Sequence, residues 1–305
     1  MTHPFSFSLA TPGVPSATEW RDLVRRAEDL GYDGVALNDH VGQGLEAITA
    51  LASAAALSTR LTLALRVANL SLRNPVELAD AALSLDALSG GRFQLGVGAG
   101  WLASDAIATG SRPYTRAERL LRVTEAIEIL GTLLRGQALK YTGTCFTAEV
   151  AEPLGTPVTG RVPLTIGAAS PRMLTLAARH ADIISIMVRS TWQGGIDVAD
   201  LEPERLDEKV RRIAEAEAGR ETKAPRNHVV WECLITPRPE PVIQAYATAA
   251  GKTPERLCSS PGMLIGSPAQ VAEELLRRRD RWGLTDVTVP AEAAKAFAPV
   301  LDLLR

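Results

Sequence analysis

The chain has 305 residues, of which 46% are hydrophobic and 22% are charged, as in a soluble globular protein with a large core. Its formal charge of −2 provides no basic excess for a polyphosphate backbone, which argues against nucleic acid as a partner. The sequence shows neither a signal-peptide pattern at its start nor a run of about 18 apolar residues. We therefore predict a cytoplasmic protein with no membrane partner. Its three widely spaced cysteines predict neither a disulfide framework nor a metal site.

Short apolar runs alternate with longer stretches of helical spacing along the whole chain. The predicted strands are 5–9, 34–37, 61–68, 93–97, 164–167, 183–188, 229–235 and 286–289. The predicted helices are 16–30, 45–57, 75–88, 115–134, 171–179, 204–218, 240–250 and 268–282. Eight strand–helix units in a chain of this length favour a (β/α)8 TIM barrel over an open, doubly wound sheet.

Two segments interrupt this alternation. Residues 137–163 are rich in Thr, Gly and Pro and indicate an extended excursion, with room for a small hairpin, and residues 189–203 read as a loop after the sixth strand. Neither segment is long enough to form a domain. We predict one barrel domain over residues 1–305, with both excursions near the mouth of the barrel, where lids and pocket walls usually form.

Three glycines, Gly96, Gly98 and Gly100, alternate at the end of the fourth predicted strand. A dinucleotide fingerprint needs Gly-x-Gly-x-x-Gly opening a helix directly, but this spacing is two and two and the next helical pattern starts near residue 115. Period-two glycines instead remove the side chains from one face of a strand. Either a flat ligand lies against that backbone, or bulky neighbours in the barrel fill the space.

Asp39 and His40 follow the second predicted strand directly, at the face of a barrel where catalytic residues collect. A histidine that titrates near neutrality can donate or accept a proton, and an adjacent carboxylate can orient it. The pair is therefore a candidate proton-transfer site, and the alternative is a polar pair in an ordinary turn.

The segment after the fifth predicted strand reads Gly167, Ala168, Ala169, Ser170, and a helix follows. Small residues let the backbone approach an anion, and the first amides of a helix can donate to phosphate oxygens, with Arg172 as a counter-charge. A tight strand-to-helix turn without a ligand explains the same residues. The carboxyl face of a barrel is a frequent place for a phosphate site, which favours the anion site.

Five blocks in chain order resemble the bacterial luciferase-like superfamily, and more closely its branch that depends on the deazaflavin coenzyme F420. The blocks are 25–40, 72–101, 115–120, 163–183 and 266–289. The resemblance implies a barrel that holds F420, or alternatively FMN, at the carboxyl ends of its strands, commonly as a homodimer. It also implies a bulge with a cis peptide in the third strand, between Arg66 and Leu70.

The same resemblance implies specific site residues. Those near the cofactor would be Arg66, Val67, Asn69, Gly98 and Gly100, with the phosphate turn formed by Gly167, Ala168, Ala169, Ser170 and Arg172. Trp101, Tyr141 and Trp192 would shape the substrate side. His40 would donate or accept the proton, with Asp39 as its orienter or as a cofactor contact.

The chain departs from the family pattern at three places. Asn74 stands where relatives often have histidine, Ala168 and Ala169 replace two glycines, and Asp105 replaces a longer glutamate. The predicted function is hydride transfer between F420 and a small organic substrate. The alternatives are an FMN-dependent monooxygenase, which combines reduced flavin with oxygen, and a binding barrel that has lost its chemistry.

Overall fold

A computed structural model describes residues 4–11, 13–14, 16–190 and 195–305. Eight parallel strands close into a barrel in the order β1, β2, β3, β4, β7, β8, β9, β12. Their bounds are β1 (Ser6–Thr11), β2 (Gly34–Leu37), β3 (Thr62–Asn69), β4 (Phe93–Gly98), β7 (Leu164–Ala168), β8 (Ile183–Ile186), β9 (Arg226–Val229) and β12 (Leu284–Pro290). The predicted (β/α)8 barrel is confirmed.

Helices surround the barrel and pack their apolar faces on the outward side chains of the strands. They are α1 (Ala17–Asp29), α2 (Ala47–Leu57), α3 (Pro75–Ser89), α4 (Ala103–Ala108), α5 (Arg116–Leu133), α6 (Pro171–His180), α7 (Pro203–Ala216), α8 (Pro239–Ala250), α9 (Pro254–Cys258), α10 (Pro268–Trp282) and α11 (Ala294–Leu304). Short 3-10 turns cover Val198–Leu201 and Ala291–Ala293. Within the described residues, no helix is both long and apolar enough to cross a bilayer.

The predicted strand 229–235 is wrong in its extent, because it joins two separate strands. The barrel strand is β9, and β10 (Glu232–Ile235) instead pairs with β11 (Met263–Gly266) outside the barrel. The switch occurs at Trp231, whose backbone N–H donates to Gly262 O, whereas Val230 N still donates to Thr288 O of β12. A continuous apolar run does not show where the chain changes its pairing partner.

The excursion 137–163 contains the antiparallel hairpin of β5 (Leu139–Thr142) and β6 (Thr147–Val150). The turn between these strands is fixed by the buried carboxylate of Glu125 on α5, which accepts hydrogen bonds from three successive backbone N–H groups at residues 144–146. The end of the excursion lies at the amino ends of the strands, where Pro163 O accepts from Leu95 N. The segment follows a helix and not a strand, so the prediction that it lies at the mouth is wrong for its two ends.

Strand β3 carries the predicted bulge. Leu65 pairs with Leu95 and Ala68 pairs with Val97, so two residues of β3, Arg66 and Val67, face one residue of β4. The Arg66–Val67 peptide bond is cis, which confirms the prediction for this strand.

Candidate active site at the barrel mouth

His40 and Asp105 form a hydrogen-bonded pair at the carboxyl face of the barrel. His40 follows β2, whereas Asp105 lies on α4 in the loop after β4, and His40 Nδ1 is 2.8 Å from Asp105 Oδ2. Asp105 also accepts from Val41 N at 3.1 Å, and its side chain is 1% exposed. Because the carboxylate acts as an acceptor, Nδ1 carries the ring proton. This leaves Nε2 as the free nitrogen of a ring that is 13% exposed.

Asp39 does not bond to His40, so its predicted role as the orienter is wrong, whereas its alternative role as a cofactor contact stays a prediction. Its carboxylate instead accepts two hydrogen bonds from Arg73, at 2.6 and 2.7 Å, and one from the backbone N–H of Asn69 at 3.0 Å. The hydrogen bonds from Arg73 to Asp39 raise the pKa of that guanidinium. Asp39 thus ties the end of β2 to the loop after β3, whereas the next residue, His40, contacts Asp105.

Asn69 connects three strand ends. Besides its backbone bond to Asp39, its side-chain Nδ2 lies 3.4 Å from Asp105 Oδ2, and its Oδ1 accepts from Ser71 N at 3.0 Å. Ser71 Oγ in turn donates to Ala99 O at 2.8 Å. The side chain of Asn69 therefore has protein partners at both ends, and it holds the loops after β2, β3 and β4 in register.

The alternating glycines make room for side chains of β3. A Cβ atom on Gly98 would lie 2.7 Å from Val67 Cγ2, and one on Gly167 of β7 would lie 3.2 Å from Val67 Cγ1. At Gly100, which has a φ of +72°, an added Cβ would overlap the side-chain amide of Asn69. Of the two interpretations offered by the sequence, the structure favours packing: the bulge of β3, and not bare backbone, faces the mouth here.

Arg66 lies inside the barrel and not along its rim. It pairs with Asp286 of β12 through both terminal nitrogens, at 3.1 and 2.7 Å, and it also donates to Gln94 and Thr288. The residue is only 7% exposed. The two terminal nitrogens of the guanidinium thus bond within the barrel, whereas its Nε is buried without a partner among the described residues. The predicted contact of Arg66 with the cofactor stays a prediction.

The three predicted wall residues lie in different places. Trp101 packs edge-on against the His40 ring, with 5.8 Å between ring centroids, and so belongs to the mouth. Tyr141 does not: its hydroxyl donates to Glu128 on α5, about 18 Å along the helix from the end nearest the mouth. Trp192 lies outside the described residues.

The turn after β7 has the form expected of an anion site. Ser170 is the N-cap of α6, and its side chain accepts from Met173 N, whereas Pro171 has no N–H to offer. Ala168 is buried and Ala169 is half-buried. Among the described residues the Arg172 N–H and its exposed guanidinium have no partner, which leaves both for a ligand at the helix N-terminus.

Two members of the site were not selected from the sequence. In the sequence, Asp105 was noted only because it replaces a longer glutamate of the family pattern. Arg73 was not singled out; it directly precedes Asn74, which stands where relatives often have histidine. Asn74, which occupies the position of that histidine, is the N-cap of α3 and accepts from Val76 N at 2.8 Å. The signal for Asp105 was its position four residues after Trp101, directly beyond the glycine run.

The comparison with known families agrees with this geometry. A model of the luciferase-like monooxygenases matches residues 2–254 of the chain. The protein belongs to the luciferase-like monooxygenase family.

Two curated relatives are similar to this chain over part of their length. A 5,10-methylenetetrahydromethanopterin reductase from Archaeoglobus fulgidus is 33% identical over 177 residues, which are 58% of this chain and 50% of that protein. An F420-dependent glucose-6-phosphate dehydrogenase from Microbacterium testaceum is 30% identical over 219 residues, which are 69% of this chain and 61% of that protein. The chain thus matches between half and two thirds of the length of these curated relatives.

The solved structure of the coenzyme F420 dependent tetrahydromethanopterin reductase from Methanopyrus kandleri has the same fold. Its TM-score with this chain is 0.78 at 18% identity, covering 99% of this chain and 100% of that one. At this identity the likeness supports the barrel fold alone and not a particular reaction.

Proposed function

We propose that the protein is an oxidoreductase that transfers a hydride between coenzyme F420 and a small organic substrate. The observation that carries the proposal is the His40–Asp105 pair, 2.8 Å apart at the barrel mouth. Hydride transfer to or from a polar bond is accompanied by movement of one proton, and a histidine held by a buried carboxylate suits that task.

The residues present fit a cofactor of this kind. The N-terminus of α6, with the unpaired Arg172 N–H, suits a phosphate, and the bulge at Val67, seated on Gly98 and Gly167, offers an apolar surface for a planar ring. Similarity to an F420-dependent dehydrogenase over 69% of the chain favours the deazaflavin. When bound, F420 would supply a two-electron hydride carrier.

His40 then holds or receives the proton at Nε2, since Asp105 occupies Nδ1. Asp105 fixes the tautomer and the ring orientation, as second partners of functional histidines generally do. Trp101 packs edge-on against the imidazole and so helps to fix the position of the ring. We assign His40 the catalytic role and Asp105 a positioning role.

Binding of the cofactor is the direct test. Purified protein is titrated with F420 and with FMN, each oxidised and reduced, and the quenching of cofactor fluorescence is measured. We expect saturable binding of F420. Binding of FMN alone would favour the monooxygenase alternative and contradict the proposal, and binding of neither would favour a barrel without redox chemistry.

We also retain a homodimer and a cytoplasmic location as proposals. Sedimentation equilibrium of the purified protein measures the first, and the expected mass is twice the 32.6 kDa of one chain.

A further inference from the structure

An open groove runs from the phosphate turn along the outside of the barrel. It has a volume of about 310 Å³ and is bounded on one side by Ala169, Pro171 and Leu174, at the start of α6. The other side is formed by α7 and by Arg189, in the loop after β8. The groove therefore begins where the anion site ends.

Charged side chains line the α7 side of the groove. Residues 205, 208, 209, 212 and 215 follow one another at helical spacing on a single face. With Arg189, Asp200 and Arg211, the lining carries five cationic and three anionic side chains. The groove thus has a net positive charge, although the whole chain is slightly negative.

Only some of these cations are engaged by the protein itself. Lys209 is buried and bonded to Asp200 at 2.5 Å, and Arg189 is paired with Asp200 at 3.1 Å. Exposed Arg205 bonds to Glu208, one helical turn away. Arg211 and Arg212 are exposed and have no ion-pair partner within the described parts of the chain, as Arg172 beside the turn also has none.

Two adjacent exposed arginines without ion-pair partners among the described residues, in a groove that continues from an anion site, favour a ligand with several negative charges in a row. We propose that this groove binds the oligoglutamate tail of the cofactor, with Arg211 and Arg212 as its main counter-charges. This inference rests on the proposed function. FMN ends at its phosphate, so a tail site in the groove would also explain a preference for F420.

The test compares two cofactors and two variants. The cofactors are F420 and its precursor that ends in the phosphodiester without glutamates, both titrated by fluorescence at low and high salt. The variant is Arg211→Glu with Arg212→Glu. The matched control is Arg25→Glu with Arg26→Glu, a second adjacent and exposed arginine pair, on α1 across the barrel.

We expect the wild-type protein to bind the tailed cofactor about tenfold more tightly than the tail-free one, and this advantage to shrink at high salt. The groove variant should lose about tenfold for the tailed cofactor and keep its affinity for the tail-free one. The control should match the wild type for both. Circular dichroism of each variant verifies that the barrel is folded.

Equal affinity of the wild type for the two cofactors would overturn the tail site and leave the proposed function intact. Equal losses of affinity for the tailed cofactor in the groove variant and in the control would overturn the tail site as well. If neither deazaflavin binds the wild-type protein, the proposed function itself fails. The two failures are therefore distinguishable.

Discussion

The two sides of the barrel mouth are built differently. On the side of β2, β3 and β4, polar groups bond to one another: Asp39 to Arg73, Asn69 to Ser71, and Asp105 to His40. On the side of β7 and β8, the turn and the groove present a helix N-terminus together with Arg172, Arg211 and Arg212, which have no ion-pair partner in the part of the chain that the structure describes.

The difference indicates a division of labour. A network that satisfies its own hydrogen bonds is preorganised and leaves one nitrogen, His40 Nε2, free for chemistry. A surface with unsatisfied donors and an excess of positive charge instead favours a partner of opposite charge. The first side therefore suits the reacting atoms, and the second suits the distal, anionic part of a cofactor.

The largest effect is expected from removing His40, on the side of β2, β3 and β4. His40→Ala should lower the rate of hydride transfer by more than about tenfold, because it removes the group that donates or accepts the proton. Cofactor affinity should be nearly unchanged, since the imidazole does not lie at the phosphate turn. Single-turnover absorbance with bound F420 measures the rate, and unchanged kinetics would remove His40 from the mechanism.

A second test concerns the buried ion pair of Arg66 and Asp286 in the barrel interior. Arg66→Met should lower the free energy of unfolding by about 3–5 kcal/mol, because it leaves the carboxylate of Asp286 buried without its cation. Urea titration followed by circular dichroism measures this loss. Adding Asp286→Leu should recover part of it.

The same variant tests the predicted contact between Arg66 and the cofactor. Folded Arg66→Met should bind the cofactor with wild-type affinity, since the side chain points into the barrel. Weaker cofactor binding with unchanged stability would support the predicted contact.

A third test separates the two carboxylates on the first side. Asp105→Asn should lower the hydride-transfer rate about tenfold and shift its pH profile, because the imidazole loses the acceptor that fixes its tautomer. Asp39→Asn should instead lower stability by about 1–3 kcal/mol through its bonds to Arg73 and leave the profile in place. Rate–pH profiles of both variants provide the comparison. Identical profiles would contradict the assignment of Asp105.

The smallest effect is expected for His228, a buried histidine on β9, the strand next to β8. His228 donates from Nε2 to Pro261 O at 2.8 Å, and its Nδ1 has no partner within the described residues. Burial, with the positive charge of Arg278 adding to it, lowers the pKa of His228 to about 4. The unfolded chain binds this proton near pH 6.5, so stability falls as the pH drops from about 6.5 to 4.

The variant His228→Gln keeps a donor for Pro261 and removes the titration. It should be the less stable protein at pH 7, but the gap should narrow by up to about 1.4 kcal/mol per pH unit below 6.5. Chemical denaturation at several pH values measures both curves. Parallel curves would show that His228 does not contribute to acid sensitivity.

Much of the fold could be predicted from local patterns. Strand–helix alternation identified the barrel, and the prolines and N-caps marked helix starts such as Pro75 and Pro171. The sequence failed where the outcome depends on pairing: one apolar run became β9 and β10, and the hairpin near Tyr141 packed on a helix far from the mouth.

The position of the site in the fold could be predicted from the sequence, but most of its side-chain contacts could not. Position after β2 identified His40, but adjacency in sequence suggested Asp39 as its partner, whereas successive residues point to different sides of the loop. Asp105 lies 65 residues away, and only the closed barrel brings the ends of β2 and β4 together. The glycine pattern was ambiguous for the same reason, since Val67 reaches Gly98 from a neighbouring strand.

The separation of His40 and Asp105 along the chain has a final consequence. Because each comes from a different strand end, and Asn69 and Ser71 of a third join them, the pair has its geometry only in an intact barrel. A fragment that contains the His40 segment alone would lack the hydrogen bond to Asp105. Any partial unfolding that opens the barrel should consequently also break the His40–Asp105 pair. The proton-transfer site and the closed barrel should therefore be lost in one event rather than two.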